Sequence, residues 1–109
     1  MDEGSVYRKV YDWAYSIGRT IIEEREKFGD GEDYVKRLIF DIRGEESPGR
    51  FLNYLSQRLA EYKTNASIDI DVSPHSILFT RSWCGDSFYY MKSAILSGLT
   101  NALRGKGGE

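Results

Sequence analysis

The chain has little cysteine, histidine or proline, no long apolar run and no surplus of positive charge. A single cysteine, Cys84, cannot form an internal disulfide. One cysteine with one histidine, His75, cannot close a zinc site. No apolar stretch approaches the roughly 20 residues that span a bilayer, so a membrane is not an expected partner. The opening MDEGSVYRKV is not a secretory leader. Fifteen Lys and Arg against 17 Asp and Glu give a net charge of −2, so no overall basic field marks the molecule as a nucleic-acid binder. The phosphate-binding patterns GxxxxGKS/T and GxGxxG and the zinc-protease pattern HExxH are also missing. These absences leave a protein of a reducing, cytoplasmic compartment, with no metal or cofactor expected and no enzymatic activity.

What is present is ordinary globular balance. The 109 residues are 40% hydrophobic and 29% charged, enough for one compact domain with an adequate core. Val6, Val10, Trp13, Ile17 and Ile21 recur at steps of three and four, which predicts a helix over Val6 to Phe28. Ser5 would cap it, and the Gly29-Asp30-Gly31 turn would end it with residues that accept positive φ. A second helix is predicted at about Glu32 to Arg43 on the stripe Tyr34, Val35, Leu38, Ile39 and Ile42. Its acidic first turn and terminal Arg43 suit the helix dipole. Ser47-Pro48 opens a third helix, with proline at the position where its missing N–H costs nothing. Phe51, Leu52, Leu55, Leu59 and Tyr62 form its stripe up to Lys63 or Thr64.

The segment SIDIDV, residues 67–72, alternates like a strand but has no obvious partner, so an extended connector around residues 66–73 is expected. Ser73-Pro74 repeats the cap signature, and His75 to Arg81 reads as a short helix with competing strand character. The last helix begins near Asp86 and runs to about Arg104. Phe88, Met91, Ile95, Leu99 and Ala102 make its core face, widened by Leu96 and Leu103. Gly98 inside it costs about 1 kcal/mol relative to alanine, which implies a helix packed closely there. The expected fold is all-α, a compact bundle of four to five helices over residues 1–104, with a flexible tail at 105–109.

Constellations for chemistry are thin. Cys84 and His75 lie nine apart, but a cysteine beside Trp83 reads as core filler, and no third residue orients the histidine. Asp69 and Asp71 share a face if their segment is extended, and without a third ligand they read as a solvated connector. Basic residues interleaved with aromatics are more suggestive. Arg8, Tyr11, Tyr15 and Arg19 form a stripe on the first helix. Lys36 and Arg43 share a face of the second, with Arg37 adjacent. Arg50, Arg58 and Lys63 lie along the third with Asn53 and Gln57, and Arg81 and Lys92 bracket the start of the last. Arg, Lys and Tyr suit phosphate contact and base stacking; each charge taken alone also fits a solvated helix face paired with Glu23, Glu24, Glu26 or Glu61. Eight tyrosines exceed what so small a core can bury, so some are expected to face a partner.

VKRLIFDIR, then an acidic turn, then SPGRFLNYLSQRLAEY resembles the C-terminal helical region of the large subunits of type I CRISPR interference complexes (Cascade). The closing DSFYYMKSAILSGLTNAL is similar to the small-residue helix that ends that region, and the likeness spans roughly residues 10 to 103. In several such systems a separate small subunit arises from this part of the gene by internal initiation, and a chain entering its first helix almost at Met1 looks like such a product. The resemblance implies a non-catalytic helical bundle of an antiviral defence complex. It would sit in several copies beside the crRNA-bearing backbone, with the large subunit, the backbone subunits and copies of itself as partners. It would help hold target DNA, particularly the displaced strand, where guide pairing reads sequence and protein reads backbone and shape. On the matching helices the implied contacts are Arg50 and Arg58, Lys36, Arg37 and Arg43, and Lys92. The slightly acidic total departs from a strand-binding subunit and implies weak binding outside an assembly.

Overall fold

Apolar residues at helical spacing give four α-helices in the computed structural model, which describes residues 3–70 and 86–105: α1 (Glu3–Glu24), α2 (Gly31–Arg43), α3 (Pro48–Asn65) and α4 (Asp86–Arg104). Among the described residues there is no strand, and no helix is long and apolar enough to cross a membrane. The all-α bundle is therefore the observed architecture. The candidate helix at 75–81, with His75, Arg81, Trp83 and Cys84, lies outside the described residues.

The most extensive helix pair is α1 against α4. The two run in the same direction, with Ala14 opposite Gly98 and Gly18 opposite Ala102. A Cβ on Gly98 would stand 2.6 Å from the Tyr11 carbonyl oxygen, and one on Gly18 would stand 2.6 Å from the Ala102 Cβ. The helix packed against Gly98 is thus α1. Helices α2 and α3 form an antiparallel pair in which Tyr34 meets Tyr62 edge-on at 4.8 Å and Asp41 meets Arg58. Phe51 of α3 and Phe88 of α4 meet edge-to-face at 5.6 Å. One core joins all four helices through fully buried Val10, Ile21, Leu38, Ile42, Phe51, Leu55, Leu59, Ile95 and Leu99, each such side chain contributing about 1.5–3 kcal/mol.

The connector after α3 is non-helical through Ile70, the last described residue before the gap. Its alternation serves the core: Ile68 and Ile70 are buried while Ser67 and Asp69 are exposed. No ladder is needed, because the Ile68 amide bonds back to the Tyr62 carbonyl at 3.3 Å.

Local signals differ from expectation at four places. Helix α1 begins at Glu3, so Ser5 lies inside its first turn rather than capping it. It ends at Glu24, not Phe28, because the chain turns at Arg25, whose carbonyl accepts from the Phe28 and Gly29 amides at 3.0 Å. Gly29 supplies the expected positive φ, 70°. Ser47 holds the extended cap conformation, and its carbonyl accepts from the Phe51 amide at 2.9 Å, but its hydroxyl makes no capping bond. Trp13 is only partly buried, and its buried indole N–H has no acceptor.

Candidate nucleic-acid interface

Several of the basic residues picked out by sequence serve the fold. The Arg58 guanidinium donates to Asp41 across the α2–α3 seam (Nε to Oδ2, 2.7 Å) and to Glu61 at 3.4 Å, with its side chain only 28% exposed. The hydrogen bond that Arg58 donates to the Asp41 carboxylate raises the Arg58 pKa, so the guanidinium stays charged throughout. Arg19 donates to the Ala102 carbonyl at 3.2 Å, completing the α4 C-terminus, and pairs with Glu23 at 3.5 Å. Lys92 donates to the Glu45 carbonyl at 2.6 Å and sits near the Phe51 and Phe88 rings. Tyr11 accepts from Asn101 at 2.6 Å and stacks with Tyr15, so the aromatic part of the first-helix stripe helps join α1 to α4. The remaining member, Arg8, is exposed and lies 3.8 Å from Asp12. Arg50 is 71% exposed and 3.5 Å from Glu45.

The α2 residues behave differently. Val35, Leu38 and Ile42 point into the core, which turns Lys36, Arg37, Phe40 and Arg43 outward. Phe40 is 67% exposed on the line opposite the core. Lys36 and Arg37 precede it by four and three residues, and Arg43 follows by three, so all share one ridge. The Arg43 guanidinium lies 5.0 Å from the Phe40 ring, and Arg37 lies 5.6 Å from Tyr34. Among the described residues Lys36, Arg37 and Arg43 have no ion-pair partner. The structure thus puts three of the eight predicted contacts on one α2 ridge; Arg19, Arg58 and Lys92 are bonded within the fold, and Arg8 and Arg50 lie on other helices.

Two residues escaped the sequence reading. Phe40 was legible as a large apolar residue off the α2 stripe and flanked by cations. Arg25 was not. It binds Asp30 bidentately at 2.9 and 2.8 Å, donates to the Ala66 carbonyl at 3.3 Å, and lies 4.1 Å from the Phe28 ring. The Arg25 hydrogen bonds hold the Asp30 carboxyl below its ordinary range. Arg19 and Arg25 also line a cleft of about 360 Å³ with Ile22, Gly31 and Leu103, but both guanidiniums are already engaged there.

The α2–α3 seam carries one pH-sensitive group. Tyr62 is buried and donates to the Tyr34 carbonyl at 2.9 Å. Burial, the largest cause, pushes its pKa up from 10.0 to about 12. A raised folded pKa stabilises the fold below the unfolded value and loses that contribution as pH rises through the folded one. The wild-type melting temperature is therefore expected to fall between pH 10 and 12 more steeply than that of Tyr62→Phe. Parallel slopes in thermal denaturation would refute it.

The described residues assemble no candidate metal centre. Asp69 is exposed, Asp71 lies outside the described residues, and no group of three or more His, Cys, Asp or Glu among the described residues is placed to hold a metal ion. Comparison with protein-family models, curated proteins and solved structures finds no match for this chain.

Proposed function

We propose that the protein is a non-catalytic helical subunit that contacts nucleic acid through the α2 ridge while docked in a larger assembly. The finer form of this reading is the small subunit of a type I CRISPR effector. It would sit in several copies beside the crRNA backbone and steady target DNA, particularly the displaced strand. The observation that carries the reading is the ridge itself: three cations without ion-pair partners around an outward phenylalanine. Lys and Arg neutralise phosphates, and an exposed ring offers a stacking platform for an unpaired base. Three cations on a chain of net charge −2 support weak contact, so neighbouring subunits supply the rest of the field.

Tagged protein recovered from its native host is expected to bring down a ribonucleoprotein carrying short, repeat-flanked RNA. A nucleic-acid-free assembly overturns the proposal and favours a helical protein–protein adaptor, the reading that the exposed Phe28, Tyr89 and Tyr90 support. Within the ribonucleoprotein, the triple variant Lys36→Glu/Arg37→Glu/Arg43→Glu should weaken target binding at moderate salt by about tenfold or more. For a single strand it should also flatten the salt dependence of log K by about 2. Unchanged binding with an unchanged salt slope removes α2 as the contact face.

A further inference from the structure

The cleft of about 360 Å³ between Arg19 and Leu103 lies where three helix ends meet, the last turns of α1 and α4 and the first turn of α2. Its volume is at the small end of the roughly 300–1,000 Å³ usual for small-molecule sites. Neither guanidinium on its wall is available to an anion. Arg19 is held by the Ala102 carbonyl and Glu23, and Arg25 by Asp30 and the Ala66 carbonyl. The carboxylates are different. Glu26 and Glu32 line the cleft, are exposed, and have no ion-pair partner among the described residues. Ile22 and Leu103, both half-buried, supply its apolar lining.

The field there is negative for a reason built into the fold. Because α1 and α4 run in the same direction, their C-terminal ends, the negative poles of two helix dipoles, both open on the cleft. Only α2 offers a positive pole in return. Helices favour a cation in the last turn, as α2, α3 and α4 have in Arg43, Lys63 and Arg104. Helix α1 has none and ends instead on Glu23 and Glu24. From Arg19 to Asp33 six carboxylates face three cations, a balance of −3 where the whole chain carries −2. This field favours a cation. The acids do not converge as a metal site requires; they are spread beside an apolar wall, which suits ammonium groups joined by methylenes. We propose that the cleft binds a linear aliphatic polyamine. Its ammonium groups donate to Glu26 and Glu32, and its methylene chain lies over Ile22 and Leu103. A single exposed ion pair contributes little, so several ammoniums on one chain are needed to gain affinity. The site is separate from the α2 ridge and stands or falls apart from the nucleic-acid reading.

Calorimetric titration of the full chain, freed of nucleic acid, uses spermidine as the probe. It should show saturable one-to-one binding at low salt, with a dissociation constant of about 0.1–1 mM. Glu26→Gln/Glu32→Gln should weaken binding by about tenfold or more with an unchanged melting temperature. Asp12→Asn/Glu46→Gln is the control: it removes the same charge at exposed positions away from the cleft and should leave binding unchanged. Magnesium chloride at equal ionic strength should not displace the polyamine, since it has no methylene chain to lay on Ile22 and Leu103. No saturable binding up to about 10 mM spermidine, an equal loss in both double variants, or displacement by magnesium each overturns the proposal. If Glu26→Gln/Glu32→Gln lowers the melting temperature, Leu103→Lys replaces it. Its own ammonium would occupy the cleft and abolish the titration signal, and retained binding there overturns the proposal as well.

Discussion

Replacing Gly98 by alanine is expected to destabilise the bundle by about 2 kcal/mol, although alanine is the better helix former by about 1 kcal/mol. The new Cβ would stand 2.6 Å from the Tyr11 carbonyl oxygen, 2.9 Å from the Ala14 Cβ and 2.9 Å from the Tyr15 amide nitrogen. Two of the three are backbone atoms, so no side chain can swing aside and α1 itself must move off α4. That separation loosens the main seam of the fold, including the Asn101–Tyr11 and Arg19–Ala102 hydrogen bonds that cross it. Gly49 is the control. Nothing lies within 4 Å of its added Cβ, so Gly49→Ala should be neutral or stabilising by up to about 1 kcal/mol. Gly18→Ala should also destabilise, because its Cβ meets the Ala102 Cβ at 2.6 Å, and Ala102→Gly in that background should restore part of the loss. Urea midpoints decide the matter. Equal effects at Gly98 and Gly49 would mean that the helices do not approach as closely as described.

The same seam illustrates which parts of the fold a sequence exposes. Gly98 is a local anomaly, an expensive residue in mid-helix, and its presence announces a close neighbour without naming it. The stripes on α2, α3 and α4 are likewise local, and they place Leu38, Leu55 and Leu99 inside as expected. Period-two alternation in SIDIDV locates Ile68 and Ile70 on one side, which turns out to be the core side. Charges obey no such rule. Arg58 and Asp41 are 17 residues apart, and Arg19 reaches a carbonyl 83 residues away. Helical spacing describes one helix at a time, so it grouped Arg58 with the solvent-facing Gln57 and Asn53. Only the packing of α3 on α2 reveals that Arg58 is committed. For α2 the local pattern suffices, because Lys36, Arg37, Phe40 and Arg43 lie off the buried stripe of Val35, Leu38 and Ile42 and are exposed.

That distinction yields a second large effect. Arg58→Glu is expected to cost about 2 kcal/mol, between the fraction of a kcal/mol of an exposed pair and the 3–5 kcal/mol of a buried one. The side chains of Arg58 and Asp41 are 28% and 25% exposed. Reversal leaves Asp41 without its 2.7 Å donor and adds a third carboxylate beside Asp41 and Glu61. Arg50→Glu should cost far less, since Arg50 is 71% exposed and its contact with Glu45 is longer, at 3.5 Å. The Asp41→Arg/Arg58→Glu swap should regain much of the loss, which simple removal of a surface cation would not predict. Binding tests must therefore be read beside melting temperatures. A weaker complex from Arg58→Glu reports a loosened α2–α3 seam, whereas one from Lys36→Glu with an unchanged melting temperature reports a lost contact. Should Arg58→Glu melt like the wild type, the guanidinium is free to engage phosphate after all. The interface would then extend from the α2 ridge onto α3.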